Sequence, residues 1–347
     1  MTDQHVTGMS TERPTEAGDR ATSAVPASGP VAARVRGVRK TFGRTVAVDG
    51  IDLDVPAGSV FGMLGPNGSG KTTLIRMLLG LTRPTTGSVE LLGRRVPDGL
   101  AATLPDVGAL VEGPGFHPFL SGRENLRRVA ATEPRLAPSG IRGAVDDALE
   151  RVGLSDAADR RFRGYSLGMK QRLGLGAALL VPRRLVVLDE PTNGLDPAGT
   201  REVRTIVAEL RAAGATVLLS SHLLAEVEAV CTHVAVLQSG SLVVSGELGT
   251  LLDAGGGGLE IATPDVDAAL ATLRATGATA FARGPETGGA GGAGTAQHPG
   301  VVVGDGGPPP PVLFAALVRD GIDVYEVRRR RPHLEELFAR LTEQESS

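Results

Sequence analysis

The chain has 347 residues, 41% of them hydrophobic and 22% charged, with a net charge of −3 and an isoelectric point near 6.1. These values are ordinary for a globular protein, and they exclude nucleic-acid binding driven by bulk positive charge. The single cysteine, Cys231, excludes an intrachain disulfide, and no uninterrupted apolar run reaches the roughly 18 residues of a membrane-spanning helix.

Residues 1–32 are rich in Thr, Ser, Pro and charge and are expected to be a disordered leader. Asp3, Glu12, Glu16 and Asp19 within it argue against a secretory signal. A domain over 33–250 follows. Ile51-Asp52-Leu53-Asp54-Val55 alternates apolar and polar side chains, as a half-buried strand does. The short apolar runs at 60–64, 185–188, 216–219 and 234–237 suit central strands covered on both faces. Between them, Ile141, Val145, Ala148, Leu149 and Val152 recur at the spacing of one helix face. Strands alternating with helices predict a mostly parallel sheet in an α/β layer fold.

Four consecutive glycines, Gly255 to Gly258, break this pattern, and a smaller α+β domain is expected over 258–345. Its strands are predicted at 259–261, 278–281, 301–303 and 322–327, and its helices at 266–273 and 312–318. That order, β-α-β-β-α-β, is ferredoxin-like. Its middle loop, about 284–300, is too rich in glycine to pack and is expected to be mobile. Leu334, Leu337, Phe338 and Leu341 then repeat at i, i+3, i+4, i+7, the stripe of a docking helix.

The chemistry begins at Gly65-Pro66-Asn67-Gly68-Ser69-Gly70-Lys71-Thr72, which fits G-x-x-x-x-G-K-[ST] between an apolar strand and a helical run opening at Thr73. Backbone N–H groups of such a loop curl around phosphate oxygens, and the helix N-terminus adds positive potential. The loop and Thr73 are therefore nucleotide-binding candidates, with Lys71 to neutralise the β- and γ-phosphates and Thr72 to ligate Mg²⁺. Of the 36 basic residues only Lys40, Lys71 and Lys170 are lysines; a lysine kept against that bias suggests that its compact ammonium is required. Downstream, the apolar run from Leu185 ends in Asp189 and Glu190. Adjacent strand side chains diverge, so the two acids divide the work: Asp189 to hold Mg²⁺ and Glu190 to polarise an attacking water.

Tyr165-Ser166-Leu167-Gly168-Met169-Lys170-Gln171-Arg172 resembles the signature loop of the ABC ATPase family, departing from it at Leu167 and Met169 while keeping Ser166 and Gly168. The resemblance covers roughly Val35 to Glu247. It implies a P-loop NTPase of ABC ATPase type, with a mostly parallel sheet core and antiparallel β and helical subdomains, using ATP and Mg²⁺. In the family Ser166 and Gly168 would meet the γ-phosphate of nucleotide held by the other subunit. Asp196, in the turn from Pro191 to Pro197, would reach across to that partner. His222 resembles the switch histidine that contacts the γ-phosphate and positions water, joining Glu190 and Lys71 as the catalytic set. Phe42 resembles the aromatic that stacks on adenine.

Glu112 stands where most members place glutamine, which resembles bacterial exporters of bacitracin- or lantibiotic-type peptide antibiotics; it is a candidate contact for Mg²⁺ and nucleotide. The aromatics of Phe116-His117-Pro118-Phe119-Leu120 form the stretch that, in the family, receives the coupling helix of a permease. The resemblance thus implies the ATP-hydrolysing subunit of a drug, antibiotic or peptide exporter. It would act as a homodimer closed around ATP, bound through a separate transmembrane permease to the cytoplasmic face of the cell membrane, with no nucleic-acid partner. The alternative is a soluble ABC-type ATPase acting on ribosomes or DNA. A single cassette, and the lack of sustained heptads between Leu120 and Ser166, speak against it.

Overall fold

The computed structural model describes residues 29–112, 115–254, 257–283, 299–330 and 333–344, without the side chains of 340–344. Most of the expected leader and of the 284–300 loop lies outside these residues. The leader also ends earlier than expected, because the first strand already begins at Val31.

In chain order, β1 (Val31–Phe42) and β2 (Thr45–Pro56) form a hairpin, β3 (Val60–Leu64) leads to α1 (Lys71–Leu78), and β4 (Thr86–Leu91) and β5 (Arg94–Val96) follow. Next come α2 (Leu100–Thr103), β6 (Val107–Leu110), α3 (Gly122–Ala130), α4 (Ile141–Arg151) and α5 (Leu167–Ala178). The cassette closes with β7 (Leu185–Asp189), α6 (Pro197–Ala212), β8 (Thr216–Ser221), α7 (Leu224–Val230), β9 (His233–Gln238), β10 (Ser241–Glu247) and α8 (Leu248–Ala254).

A six-stranded sheet in the order β10-β9-β3-β8-β7-β6 forms the centre, parallel except for β10. Every residue of β3, β7 and β8 is buried, as continuous apolar runs in a sheet covered on both faces should be. Alternation sorts those runs onto two cores. Phe61, Met63, Leu185, Val187 and Leu218 pack with α1 and the antiparallel sheet β2-β1-β4-β5. Val60, Leu64, Val186, Leu188, Val217 and Leu219 pack with the helical layer of α3 to α6. Helix α3 opens with a capping box in which Ser121 and Glu124 satisfy each other's backbone N–H.

Beyond α8, β11 (Gly258–Ala262), α9 (Val266–Ala275), β12 (Ala280–Ala282), β13 (Gly300–Gly304), α10 (Pro310–Arg319) and β14 (Glu326–Arg330) build a four-stranded antiparallel sheet in the order β12-β13-β11-β14. Ile261, Leu273, Val301, Leu313 and Leu317 are its core. The last strand starts four residues later than the sequence suggests, because Ile322 turns into this core before the chain reaches the sheet edge. Helix α11 (Leu334–Gln344) does not complete this domain. Its apolar stripe returns to the cassette, where Leu334, Leu337 and Phe338 join the helical core. There the Glu228 carboxylate on α7 accepts from the Leu334 N–H at 3.0 Å and lies 2.9 Å from His333 Nδ1. Among the described residues no helix is long and apolar enough to cross a membrane.

Candidate active site

The loops after β3, β6, β7 and β8 leave the carboxyl ends of parallel strands, where open α/β sheets gather their ligand-binding groups. The β3 loop is possible only with its glycines. Gly65 and Gly70 have φ of 152° and 102°. A Cβ on Gly65 would lie 2.2 Å from the Leu237 carbonyl oxygen, and one on Gly70 2.6 Å from that of Ala47. Inside the loop the Ser69 hydroxyl is buried without a hydrogen-bond partner among the described residues. The Lys71 ammonium is buried too, donating to the carbonyls of Gly65 (2.7 Å) and Pro66 (3.2 Å) and lying 3.6 Å from Glu190 Oε1.

Asp189 ends β7 with its carboxylate buried. Its Oδ1 accepts from the hydroxyls of Ser220 (2.6 Å) and Thr72 (3.2 Å). A carboxylate and a hydroxyl converging in this way form the oxygen donor set that suits Mg²⁺. Among the described residues no group of three or more His, Cys, Asp or Glu side chains is arranged to hold a metal ion, but Mg²⁺ completed by phosphate oxygens and water needs none. The residues present therefore fit the ion.

Glu190 leaves the strand with φ of 49°, a left-handed value that side chains with a Cβ rarely adopt. Its Oε2 lies 2.8 Å from His222 Nδ1, while Oε1 faces Lys71. The three side chains expected to be catalytic are thus gathered from the start of α1 and from the segments after β7 and β8. An Nδ1–H donated to Glu190 leaves Nε2 as the other free nitrogen of the ring.

The remaining candidates are placed differently. Phe42, at the end of β1, is half exposed, with the Lys40 ammonium 4.8 Å from its ring centroid. Ser166 caps α5 by accepting from the Met169 N–H at 3.2 Å, and Gly168 follows it beside Leu195. Neither joins Lys71 and Glu190 in the single chain. Asp196 caps its own helix α6, accepting from the Gly199 N–H at 2.9 Å. Glu112 does not meet Thr72 and Asp189, as expected of a metal contact. Its exposed carboxylate pairs instead with Arg76, one turn beyond Thr72 on α1. The hydrogen bond from Arg76 holds that carboxyl below the usual carboxylate range. A full charge where an amide is usual attracts the nearest cation.

The aromatic loop is also split. The Asn125 side chain accepts from the His117 N–H (2.8 Å) and donates to its carbonyl (3.1 Å), pinning the turn. Phe116 goes inward, edge-on to Phe162 at 5.4 Å, while Phe119 stays 61% exposed. Of the two phenylalanines, Phe119 is the one that faces outward.

Sequence reasoning assigned no role to Arg76, Ser220 or Gln171. Arg76 has a recoverable signal, an i+4 spacing from Thr72 that puts both on one helix face. Ser220 and Gln171 are visible only through their bonds to Asp189 and Glu190.

A family model described as ABC transporter matches residues 48–193. An uncharacterised ABC transporter ATP-binding protein of Bacillus subtilis is 44% identical over 202 residues, 58% of this chain and 65% of the relative. A bacitracin transport ATP-binding protein of Enterococcus faecalis is 42% identical over 205 residues, 59% and 65% of the two chains. The chain thus spans just under two thirds of the length of each of these relatives. A daunorubicin resistance ATP-binding protein of Streptomyces coeruleorubidus is 35% identical over 317 residues, 89% of this chain and 95% of the relative. A solved ATP-binding subunit of an ABC transporter is 26% identical, with a TM-score of 0.58 over 64% of this chain and 92% of that one.

Proposed function

The chain belongs to the family of ABC transporter ATP-binding proteins, and on that premise we propose that it hydrolyses ATP to drive a drug, antibiotic or peptide exporter. The observation that carries the reading is the Glu190 carboxylate set between Lys71 and His222 beside the phosphate-type loop. The loop from Gly65 to Thr72 binds the phosphates, Lys71 neutralises them, and Phe42 offers its open face to the base. Thr72 and Asp189 would hold Mg²⁺, which would supply positive charge to neutralise the phosphates. Glu190 orients the attacking water and takes its proton at the carboxylate, and His222 holds that carboxylate in place.

Ser166 and Gly168, small residues at a helix N-terminus, suit an anion brought by a second copy of the chain. One cassette per chain then requires a homodimer closed around ATP. The segment from Glu112 to Phe119 links the nucleotide side to an exposed aromatic and is the contact for a separate permease. Relatives named for bacitracin transport and daunorubicin resistance support a cargo of antibiotic or drug class.

The test is Glu190→Gln in the purified chain. Turnover should fall at least about a hundredfold, roughly 2.7 kcal/mol in barrier, with nucleotide affinity kept and an ATP-dependent dimer trapped on size exclusion. Near wild-type turnover would remove Glu190 from the mechanism.

A further inference from the structure

The backbone of Glu190 sits where it would not stay unaided, since the left-handed conformation crowds a Cβ against the following carbonyl oxygen. Two shielded side chains straddle it. Its N–H donates to Ser220 Oγ at 2.9 Å, and its carbonyl accepts from Gln171 Nε2 at 3.1 Å. The same carbonyl also accepts from the Asn193 N–H at 3.1 Å, which closes the turn after β7.

The Ser220 hydroxyl is buried, and its one hydrogen is committed to Asp189 Oδ1 at 2.6 Å, so toward Glu190 it can only accept. One hydroxyl therefore ties the two acids together. Gln171 is almost fully buried and belongs to α5, the helix that Ser166 caps. Hydrogen bonds made by buried side chains are costly to leave unmade. Together they oppose relaxation of the left-handed backbone.

We propose that Ser220 and Gln171 are positioning residues, clamping Glu190 in its left-handed conformation so that its carboxylate faces His222 and Lys71. This rests on the proposed ATP hydrolysis. Without the clamp the residue relaxes toward an ordinary backbone region and its Cα–Cβ direction swings away. A misplacement of about 1 Å at a reacting group costs on the order of a hundredfold. Gln171 also connects the helix carrying Ser166 and Gly168 to the backbone of Glu190 in the same chain.

The experiment uses the full chain with Gln171→Met, Gln171→Glu and Ser220→Ala. Steady-state Mg·ATP turnover is measured beside the affinity for a fluorescent ATP analogue and the melting midpoint. Each variant should lose about tenfold or more in kcat while analogue affinity stays within about threefold. In a Glu190→Gln background, Gln171→Met should add no further loss, since it acts only through the residue already disabled.

Unchanged kcat in both Gln171→Met and Ser220→Ala overturns the clamp. So does a parallel loss of turnover and nucleotide affinity, or a full additional loss from Gln171→Met in the Glu190→Gln background. If the unsubstituted chain turns over no ATP, the proposed function fails and the clamp fails with it. If it turns over ATP and the variants match it, only the clamp fails.

Discussion

Truncating Phe116 and truncating Phe119 to alanine should have opposite consequences, although the two rings stand three residues apart. Phe116 packs against the helical core and meets Phe162 edge-on at 5.4 Å, with Phe162 itself buried. A fully buried Phe→Ala costs about 3–5 kcal/mol; a partly buried ring on a loop should cost about half of that, roughly 2 kcal/mol, including the edge-on pair. For a cassette of this size that is a melting point lower by about 5 °C.

Phe119 is 61% exposed, with the Arg163 guanidinium 5.6 Å and the His117 ring 5.8 Å from its centroid. Its loss should change stability by no more than about 0.5 kcal/mol. On the proposed permease contact the order reverses: losing an aromatic anchor typically costs 2 kcal/mol or more, about thirtyfold in affinity. Thermal melting of the purified chain, and stimulation of its ATPase by permease-containing membranes, separate the two effects. The reasoning is refuted if Phe119→Ala melts several degrees lower while permease stimulation is unchanged, or if Phe116→Ala is as stable as the parent.

Three further outcomes are expected. Glu112→Gln should leave ATP hydrolysis by the isolated chain within about tenfold of the parent, roughly 1.4 kcal/mol, with its larger loss in transport assays; equal losses in both would make Glu112 an ordinary catalytic contact. The Arg76–Glu112 pair lowers the Glu112 pKa, so its stabilisation is complete above the ordinary value of 4.5 and is lost as pH falls through the lowered value. Because the pair is exposed, that stabilisation is below about 1 kcal/mol, and Arg76→Met should flatten that part of the acid melting profile, visible by comparing melting points from about pH 5 downward. Leu334→Ala removes a side chain only 1% exposed in the cassette core; it should cost about 2–3 kcal/mol and speed amide exchange along α11, whereas unaltered exchange would mean that α7 does not hold the helix.

The sequence by itself determined the parts of this protein whose signal is contiguous. The loop from Gly65 to Thr72 is recognisable because a phosphate cradle needs consecutive backbone N–H groups, and glycines where a Cβ would strike Leu237 or Ala47. β3, β7 and β8 are legible because a strand covered on both faces must be apolar throughout. Asp189 and Glu190 stood out only because the Lys71 loop lies upstream of them, and His222 through its order after them and its resemblance to the family's switch histidine. Tertiary structure decided everything that depends on a distant partner. The stripe from Leu334 to Phe338 announced a docking face, yet whether it covered the small domain or α7 was a matter of where an apolar surface lay in space. The residues at 116 and 119 read alike in sequence, and only Asn125 and Phe162 sort one inward and one outward. The left-handed Glu190 with its Ser220 and Gln171 bonds leaves no local pattern, and the i+4 spacing of Arg76 from Thr72 does not say that Arg76 takes up the Glu112 charge. Periodicity specifies which face of an element is buried, but the group that meets that face comes from elsewhere in the chain and is chosen only when the layers close.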